Sequence, residues 1–505
     1  MARWTTLNRP MMLLAVLGTL WGYCQCSPFP QSTLCKLLSG PNPHKYRSDP
    51  PDSKLPRLNA LNDANLQKSQ DPAQSTSNAP HPAVVRLQKG DLNQPGRESV
   101  SYKGYKLLRT DVEASQLPVV DSLDTAEGVD LWSWRKNERS LLFEIDLLTP
   151  PAAESKVKRV FTENNLRYQE VIKDLQDAIN QQTKDDLFFS WNRPAHPMTW
   201  EKYHSYNEME EYLEYLRTEY PHLVTLEEIG HSFENRSLRV AKVSTGANRT
   251  AIWIDGGLHA REWITPATAM FILHRLVEGS WETPELLNHF DWYILALGNP
   301  DGYEYSRQHD RLWRKTRSIN PEFPDCVGVD PNRNFGYKWA AGGSSMRACS
   351  SIYHGPQPFS EPETRAIRDF LLAHKDQLKA YVSLHSYSQM WLTPWSHTET
   401  LPGNHEKLQE VGRQAVAAIK GYNGTEYIQG NVPSLLYVAS GSSMDYAMGV
   451  AGIPYAFTLE LRDRGTYGFL LPKEEIRPTG EETFEGIRAM TTTIFHQLYP
   501  GKQFS

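Results

Sequence analysis

The last 310 or so of the 505 residues predict an α/β domain with a largely parallel sheet, and a small α+β unit of about 90 residues precedes it. Three observations carry this. From about Trp200 onward, apolar runs of strand length alternate with stretches of helical spacing, the pattern of a parallel sheet covered by helices. Residues 27–97 hold 11 of the 34 prolines but only two aromatics, Phe29 and Tyr46, in a chain that is 11% aromatic. Such a segment cannot bury enough apolar surface to offset its ordering entropy, so the chain is not one uniform globule. Charge is also unevenly divided: residues 27–97 hold nine basic against five acidic residues, and residues 98–505 carry a net −12 within a chain total of −6. A folded portion that acidic lacks the clustered Lys and Arg that phosphate backbones require, which argues against nucleic acid as a partner. No apolar run reaches 18 residues, so a helical membrane span is excluded.

Taken in order, Arg3 and Arg9 precede an apolar stretch over 11–21, too short to cross a bilayer and suited to an export signal. Small residues at Cys24 and Cys26 allow cleavage before Ser27, giving residues 1–26 as a signal peptide and the chain a secreted, extracellular destination. The Pro-rich segment 27–97 follows. Order returns near Tyr102, with short strands expected at 119–120, 129–134 and 141–148 and a helix at 155–162. Val171, Leu175 and Ile179 recur at helical spacing, so a second helix is expected to run to about Gln182. Residues 184–193 are polar and contain Lys184 and Arg193, candidate sites for a trypsin-like protease. In the α/β part, strands are expected at 251–255, 292–297, 379–384 and 455–461. A helix is expected to be opened by Thr265-Pro266 and to run to Val277, and a turn at Asn299-Pro300-Asp301-Gly302.

Cysteine use agrees with export. Cys326 and Cys349 lie 23 positions apart and suit one bridge in an oxidising compartment. Closing that loop stabilises by about 3 kcal/mol in the chain-entropy model. Cys35 is left over, free or paired with another chain. Sequons at Asn235, Asn248 and Asn423 fit a secreted surface.

Three of the predicted strands run into ionisable residues at their C-terminal ends, the edge where open parallel sheets bind ligands. The first leads into Gly256-Gly257-Leu258-His259-Ala260-Arg261-Glu262, the second into His385-Ser386-Tyr387, the third into Glu460. His259 and Glu262 have H-x-x-E spacing, and the two glycines allow the sharp turn that would aim both at one point. A catalytic zinc needs three protein ligands and one open position, and His385 supplies the third.

The segments HAREW, LWRKTRS, DPNRNF, SLHSYSQ, ASGSSMD and TLELRDRGTYGFLLP resemble the secreted zinc metallocarboxypeptidases of the pancreatic A/B type, from about Tyr102 to the C-terminus. The resemblance implies an α/β/α sandwich on a mixed, largely parallel eight-stranded sheet (194–505), preceded by an activation propeptide with an antiparallel sheet (98–193). It implies one Zn2+ held by His259, Glu262 and His385, with Glu460 as general base and proton shuttle. Arg317 matches the residue that polarises the scissile carbonyl. Asn332 and Arg333 match the clamp on the substrate's terminal carboxylate, and Tyr437 the mobile tyrosine above it. Arg261, Arg314, Ser386, Tyr387 and Phe469 match further subsites, and Cys326 and Cys349 the family's disulfide. The implied partners are peptide or protein C-termini as substrate and an activating trypsin-like protease, with the enzyme acting as a monomer.

In that family one position tunes the pocket for the C-terminal side chain, and it falls on Met444, with Asp445 next to it. A thioether is apolar and adaptable, so the expected preference is for apolar or aromatic C-terminal residues. Two departures stand out: the segment 27–97 has no counterpart, and one residue is inserted between Met444 and Glu460. Two other readings are a catalytically silent protein that captures peptide C-termini and an interaction protein acting through 27–97.

Overall fold

The structure, a computed structural model, describes residues 99–123, 128–136, 140, 142–184, 196–246 and 249–505. The expectations for residues 1–97, for Arg193 and for Asn248 lie outside the described residues.

The small unit is a four-stranded antiparallel sheet in the order β2-β3-β1-β4, formed by β1 (Lys106–Val112), β2 (Asp130–Lys136), β3 (Phe143–Thr149) and β4 (Tyr168–Ile172). Helix Pro151–Glu163 buries Ala153, Val157 and Phe161, each four residues apart, against Leu108, Ile145 and Leu147 of the sheet. Helix Leu175–Thr183 is capped by Asp174, whose carboxylate accepts from the backbone N–H groups of Gln176 and Asp177. Two expectations are corrected. Residues 119–120 are not a strand but lie in helix Leu117–Asp121, where Pro118 sits in the first turn and needs no N–H partner. Val171 belongs to β4 rather than to the following helix, because pairing with β1 outweighs helical spacing.

The large unit holds β5 (Val224–His231), β6 (Ser237–Val243), β7 (Thr250–Asp255), β8 (Phe290–Leu295), β9 (Leu378–Ser386), β10 (Met390–Thr393), β11 (Ile428–Asn431) and β12 (Tyr455–Leu461). They form one mixed sheet in the order β11-β10-β12-β9-β7-β8-β6-β5. The four central strands β12, β9, β7 and β8 are mutually parallel. Strand alternation divides the core in two. Ala251 and Trp253 of β7 pack with Phe370 and Leu371 of helix Pro362–His374 on one face. Ile252 and Ile254 pack on the other with Phe271, Val411, Phe484 and Ile487, from helices Ile264–Val277, His405–Asn423 and Ile476–Leu498. That is a three-layer sandwich, as expected. Asn299-Pro300-Asp301-Gly302 is more than a turn: Asn299 Oδ1 accepts from Gly302 N at 3.0 Å and caps helix Pro300–Gln308. Cys326 and Cys349 are bridged.

Register places the site. Glu460 stands opposite His385, and Asp255 opposite Ser383, so the C-terminal ends of β7, β9 and β12 come level.

Candidate active site

β7 ends at Asp255, and the chain must turn sharply before helix Ile264–Val277 begins. Gly257 makes this possible: its φ is +64°, and a Cβ there would fall 2.5 Å from Leu297 Cδ1. The turn delivers His259 and Glu262, both buried, to His385 at the end of β9. His259 Nδ1 lies 2.7 Å from Glu262 Oε1, and His385 Nδ1 lies 3.1 Å from both Glu262 Oε2 and His259 Nδ1. Donor atoms of all three residues thus meet within 4.8 Å of one another.

The far ring nitrogens are occupied. His259 Nε2 faces Asp330 Oδ1 at 3.0 Å. His385 Nε2 is 3.3 Å from Ser383 Oγ, whose own proton goes to Asp255 Oδ1 at 2.6 Å. Asn332 Nδ2 also lies 3.2 Å from His385 Nε2, and both imidazoles are fixed with Nδ1 toward Glu262. Two imidazole nitrogens and a carboxylate oxygen facing one point is the donor set of a catalytic zinc, and these residues fit one. Burial would raise the Glu262 carboxyl, but His259 and His385 hold it below the usual carboxylate range. Burial would likewise raise Asp330, and Arg314 and His259 hold it well below.

Glu460, from β12, lines the same cleft; desolvation pushes its carboxyl up to about 8 against the pull of His385. Arg314 also lines it, gripping Asp330 through Nε (3.1 Å) and Nη2 (2.8 Å), with Nη1 3.9 Å from Glu262 Oε1. On the other side, Arg333 is pinned by the carbonyls of Gly343 and Asn332, both at 2.9 Å, leaving Nη2 3.5 Å from the Tyr437 hydroxyl. Asn332 Oδ1 accepts from Ser443 N. Gly441, at φ +72°, permits this approach, since a Cβ there would lie 2.3 Å from the Arg333 carbonyl.

Residues 209–486 match the zinc carboxypeptidase family, and residues 111–182 match the carboxypeptidase activation peptide. The chain belongs to the zinc carboxypeptidase family. It is 44% identical over 298 residues to carboxypeptidase B of Astacus astacus, covering 59% of this chain and 98% of that one. To carboxypeptidase A2 of Rattus norvegicus it is 38% identical over 388 residues, 76% of this chain and 92% of that one. Among solved structures, thrombin activatable fibrinolysis inhibitor is similar with a TM-score of 0.69 at 34% identity, over 77% of this chain and 99% of that one. Carboxypeptidase A from Helicoverpa armigera is similar with a TM-score of 0.71 at 31% identity, over 78% and 98%. The protein is thus a zinc-dependent exopeptidase made as a zymogen, with the small unit as its activation peptide.

The carboxypeptidase brings most of the expected residues to one cleft: His259, Glu262, His385, Glu460, Arg314, Asn332, Arg333, Ser386, Tyr387, Tyr437 and Phe469. Arg317 is not among them. Its guanidinium lies 3.5 Å from the centroid of the Tyr305 ring and 4.6 Å from that of Trp313, with Nε 3.8 Å from Glu234. The expectation that Arg317 faces the scissile carbonyl is corrected: of the two arginines in its motif, Arg314 is the one that lines the cleft. Met444 is buried just behind the cleft wall, its Sδ accepting from Thr458 Oγ1 at 3.6 Å. Asp445 is turned away and saturated by Ser396 N, His397 N and His397 Nδ1.

The activation peptide packs over the cleft. Asp130 pairs with Arg261, and Tyr387 donates to Asp146 at 2.7 Å. Trp132 packs on Phe469 at 5.0 Å and Trp134 on Tyr437 at 5.9 Å. Gln182 reaches Arg311 at 2.8 Å. Asp330, Ser383, Asp255, Trp132 and Trp134 were not among the expected site residues. Asp330 had a signal, being two residues before Asn332 in the same motif; the tryptophans had none, because their role depends on docking.

Proposed function

We propose that this carboxypeptidase removes apolar or aromatic residues from peptide C-termini, once a cut at Lys184 or at Arg193, the latter leaving residues 194–505, frees the catalytic domain from an activation segment spanning 98–193. The cleft wall carries the reading. Leu392, Val432, Leu436 and Ala439 line it with Met444 behind them, and the carboxylate next to Met444, Asp445, is already committed. Arg333 has one guanidinium edge open toward the cleft, suited to a substrate's α-carboxylate, with Asn332 beside it and Tyr437 above. Zinc, when bound at His259, Glu262 and His385, supplies a water acidic enough to attack near neutral pH. Glu460 would take the proton of an attacking water and return it to the departing amine. Arg314, kept charged and oriented by Asp330, stabilises the negative oxygen that develops on the scissile carbonyl.

Residues 1–26 act as the export signal, 27–97 as a spacer, and the active form is a secreted monomer. The cysteine bridge between Cys326 and Cys349 and the sequon at exposed Asn235 support secretion. The test compares release of Phe, Leu and Arg from blocked dipeptides before and after trypsin, with and without a zinc chelator. Phe and Leu release should rise after trypsin and stop with chelator; dominant Arg release overturns the preference. Glu460→Ala should abolish turnover while peptide binding persists, which separates an enzyme from a silent binder.

A further inference from the structure

The loop joining β5 to β6, residues 232–236, is firmly held yet leaves two side chains unused. It closes on itself through Ser232 N to Arg236 O at 2.8 Å and Asn235 N to Ser232 O at 3.0 Å. Two buried carboxylates pin it to the body of the catalytic part. Asp301 accepts from Ser232 Oγ, Glu234 N and Arg236 Nη1, each at 2.6 Å. Glu363 Oε1 accepts from Phe233 N at 3.0 Å. Phe233 itself is 38% exposed and joins none of the apolar clusters among the described residues. Asn235 is exposed, and its side-chain amide has no hydrogen-bond partner among the described residues. Its φ of +71° is a left-handed conformation that asparagine tolerates. Asn235-Arg236-Ser237 is a sequon. At the sequon of Asn423 the matching nitrogen is already committed: Nδ2 donates to the buried Glu482 at 2.9 Å.

We propose that Asn235 carries an N-linked glycan and that the apolar face of its first sugar packs on Phe233. The proposal rests on the export reading, because the sugar donor, a lipid-linked oligosaccharide pyrophosphate, is met on the secretory route. In the transfer, Asn235 Nδ2 forms a bond to the anomeric carbon of the first N-acetylglucosamine. The bond from that carbon to phosphate breaks, the lipid pyrophosphate leaves, and the amide gives up one proton. Phe233 and Asn235 stand two residues apart on a loop that Asp301 and Glu363 already hold still, so bringing ring and sugar together costs little further ordering. The C–H groups on one face of a pyranose are apolar, and laying them over an exposed phenyl ring removes water from both. No residue of the loop lines the cleft, so a glycan here leaves the substrate's path open.

The full-length chain is expressed in a eukaryotic secretory host, once with its own residues 1–26 and once with a proven export signal in their place. Appearance in the medium behind its own leader reports on the export reading, and the second form reports on the sugar independently of it. Mass spectrometry of the peptide that holds Asn235 should find a glycan beginning with N-acetylhexosamine, lost in Ser237→Ala and kept in Ser237→Thr. With Phe233 in place, the glycosylated chain should melt about 2 °C above its Ser237→Ala counterpart. In a Phe233→Ala background that gap should shrink by most of its size, although the hydrogen bond from Ser237 Oγ to Glu228 is lost there all the same. A bare Asn235 in the secreted chain, or a melting gap that is absent with Phe233 in place or unchanged by Phe233→Ala, overturns the proposal.

Discussion

Arg314 and Arg317 stand three residues apart in one motif, yet their environments assign them different work. Arg314 has a carboxylate to orient it and an open cleft before it. Arg317 is stacked on Tyr305 and Trp313 and lends its charge to packing. Arg314→Ala should therefore cost about 10²–10³ in kcat, whereas Arg317→Ala should keep kcat within a few-fold, about the scatter of an uninvolved site, and lower Tm instead. Steady-state kinetics with a blocked dipeptide and a thermal melt distinguish the two; equal loss of kcat in both would overturn the assignment. The sequence could not separate them, because spacing along the chain does not say which of two nearby side chains turns inward. The same limit did not affect His259, Glu262 and His385, whose positions at strand ends follow from the apolar runs before them.

At the scale of elements, the parallel pairing of β7 with β9 does chemical work. It puts Ser383 beside Asp255 in register, and their hydrogen bond holds Ser383 Oγ facing His385 Nε2 at 3.3 Å. Ser383 is thus a positioning residue for a metal ligand two places along its own strand. Ser383→Ala should weaken zinc binding about tenfold, at the lower end for outer partners of a metal site. Competition with a calibrated chelator measures this, and unchanged zinc affinity would count against the relay. Strands that end in ionisable residues were legible because they read as continuous apolar runs, and β12 was placed at 455–461 from that signal alone. The edge of the small unit was not. Residues 119–120 look like a strand by composition, and Pro118 with tertiary packing made them a helix.

On the scale of the whole molecule, the activation peptide is held by a few buried polar contacts rather than by a broad apolar face alone. Asp146 is fully buried and serves Arg109 (2.6 Å), Arg135 (3.4 Å) and Tyr387 (2.7 Å), the last from the catalytic part. Arg109 also donates to the carbonyl of Gly465 at 2.9 Å. Breaking a buried ion network leaves its remaining charges uncompensated. Asp146→Asn in the full-length, uncut chain should therefore raise its turnover of a blocked dipeptide by about tenfold, an amount well inside the cost of such a break. An uncut variant as silent as the parent would show that the lock lies elsewhere. Apolar patterning alone gave a largely parallel α/β domain behind a small α+β unit, with ionisable residues at three strand ends. The resemblance of short motifs to zinc carboxypeptidases added the sandwich, the expected zinc ligands and carboxylate clamp, and the activation segment. Only the tertiary structure decided which arginine faces the cleft, that Asp445 is spent on the turn at 396–397, and that Asp130, Trp132, Trp134 and Asp146 form the roof. Each of those depends on contacts between residues tens to hundreds of positions apart, and no local pattern records which distant surface a side chain will meet.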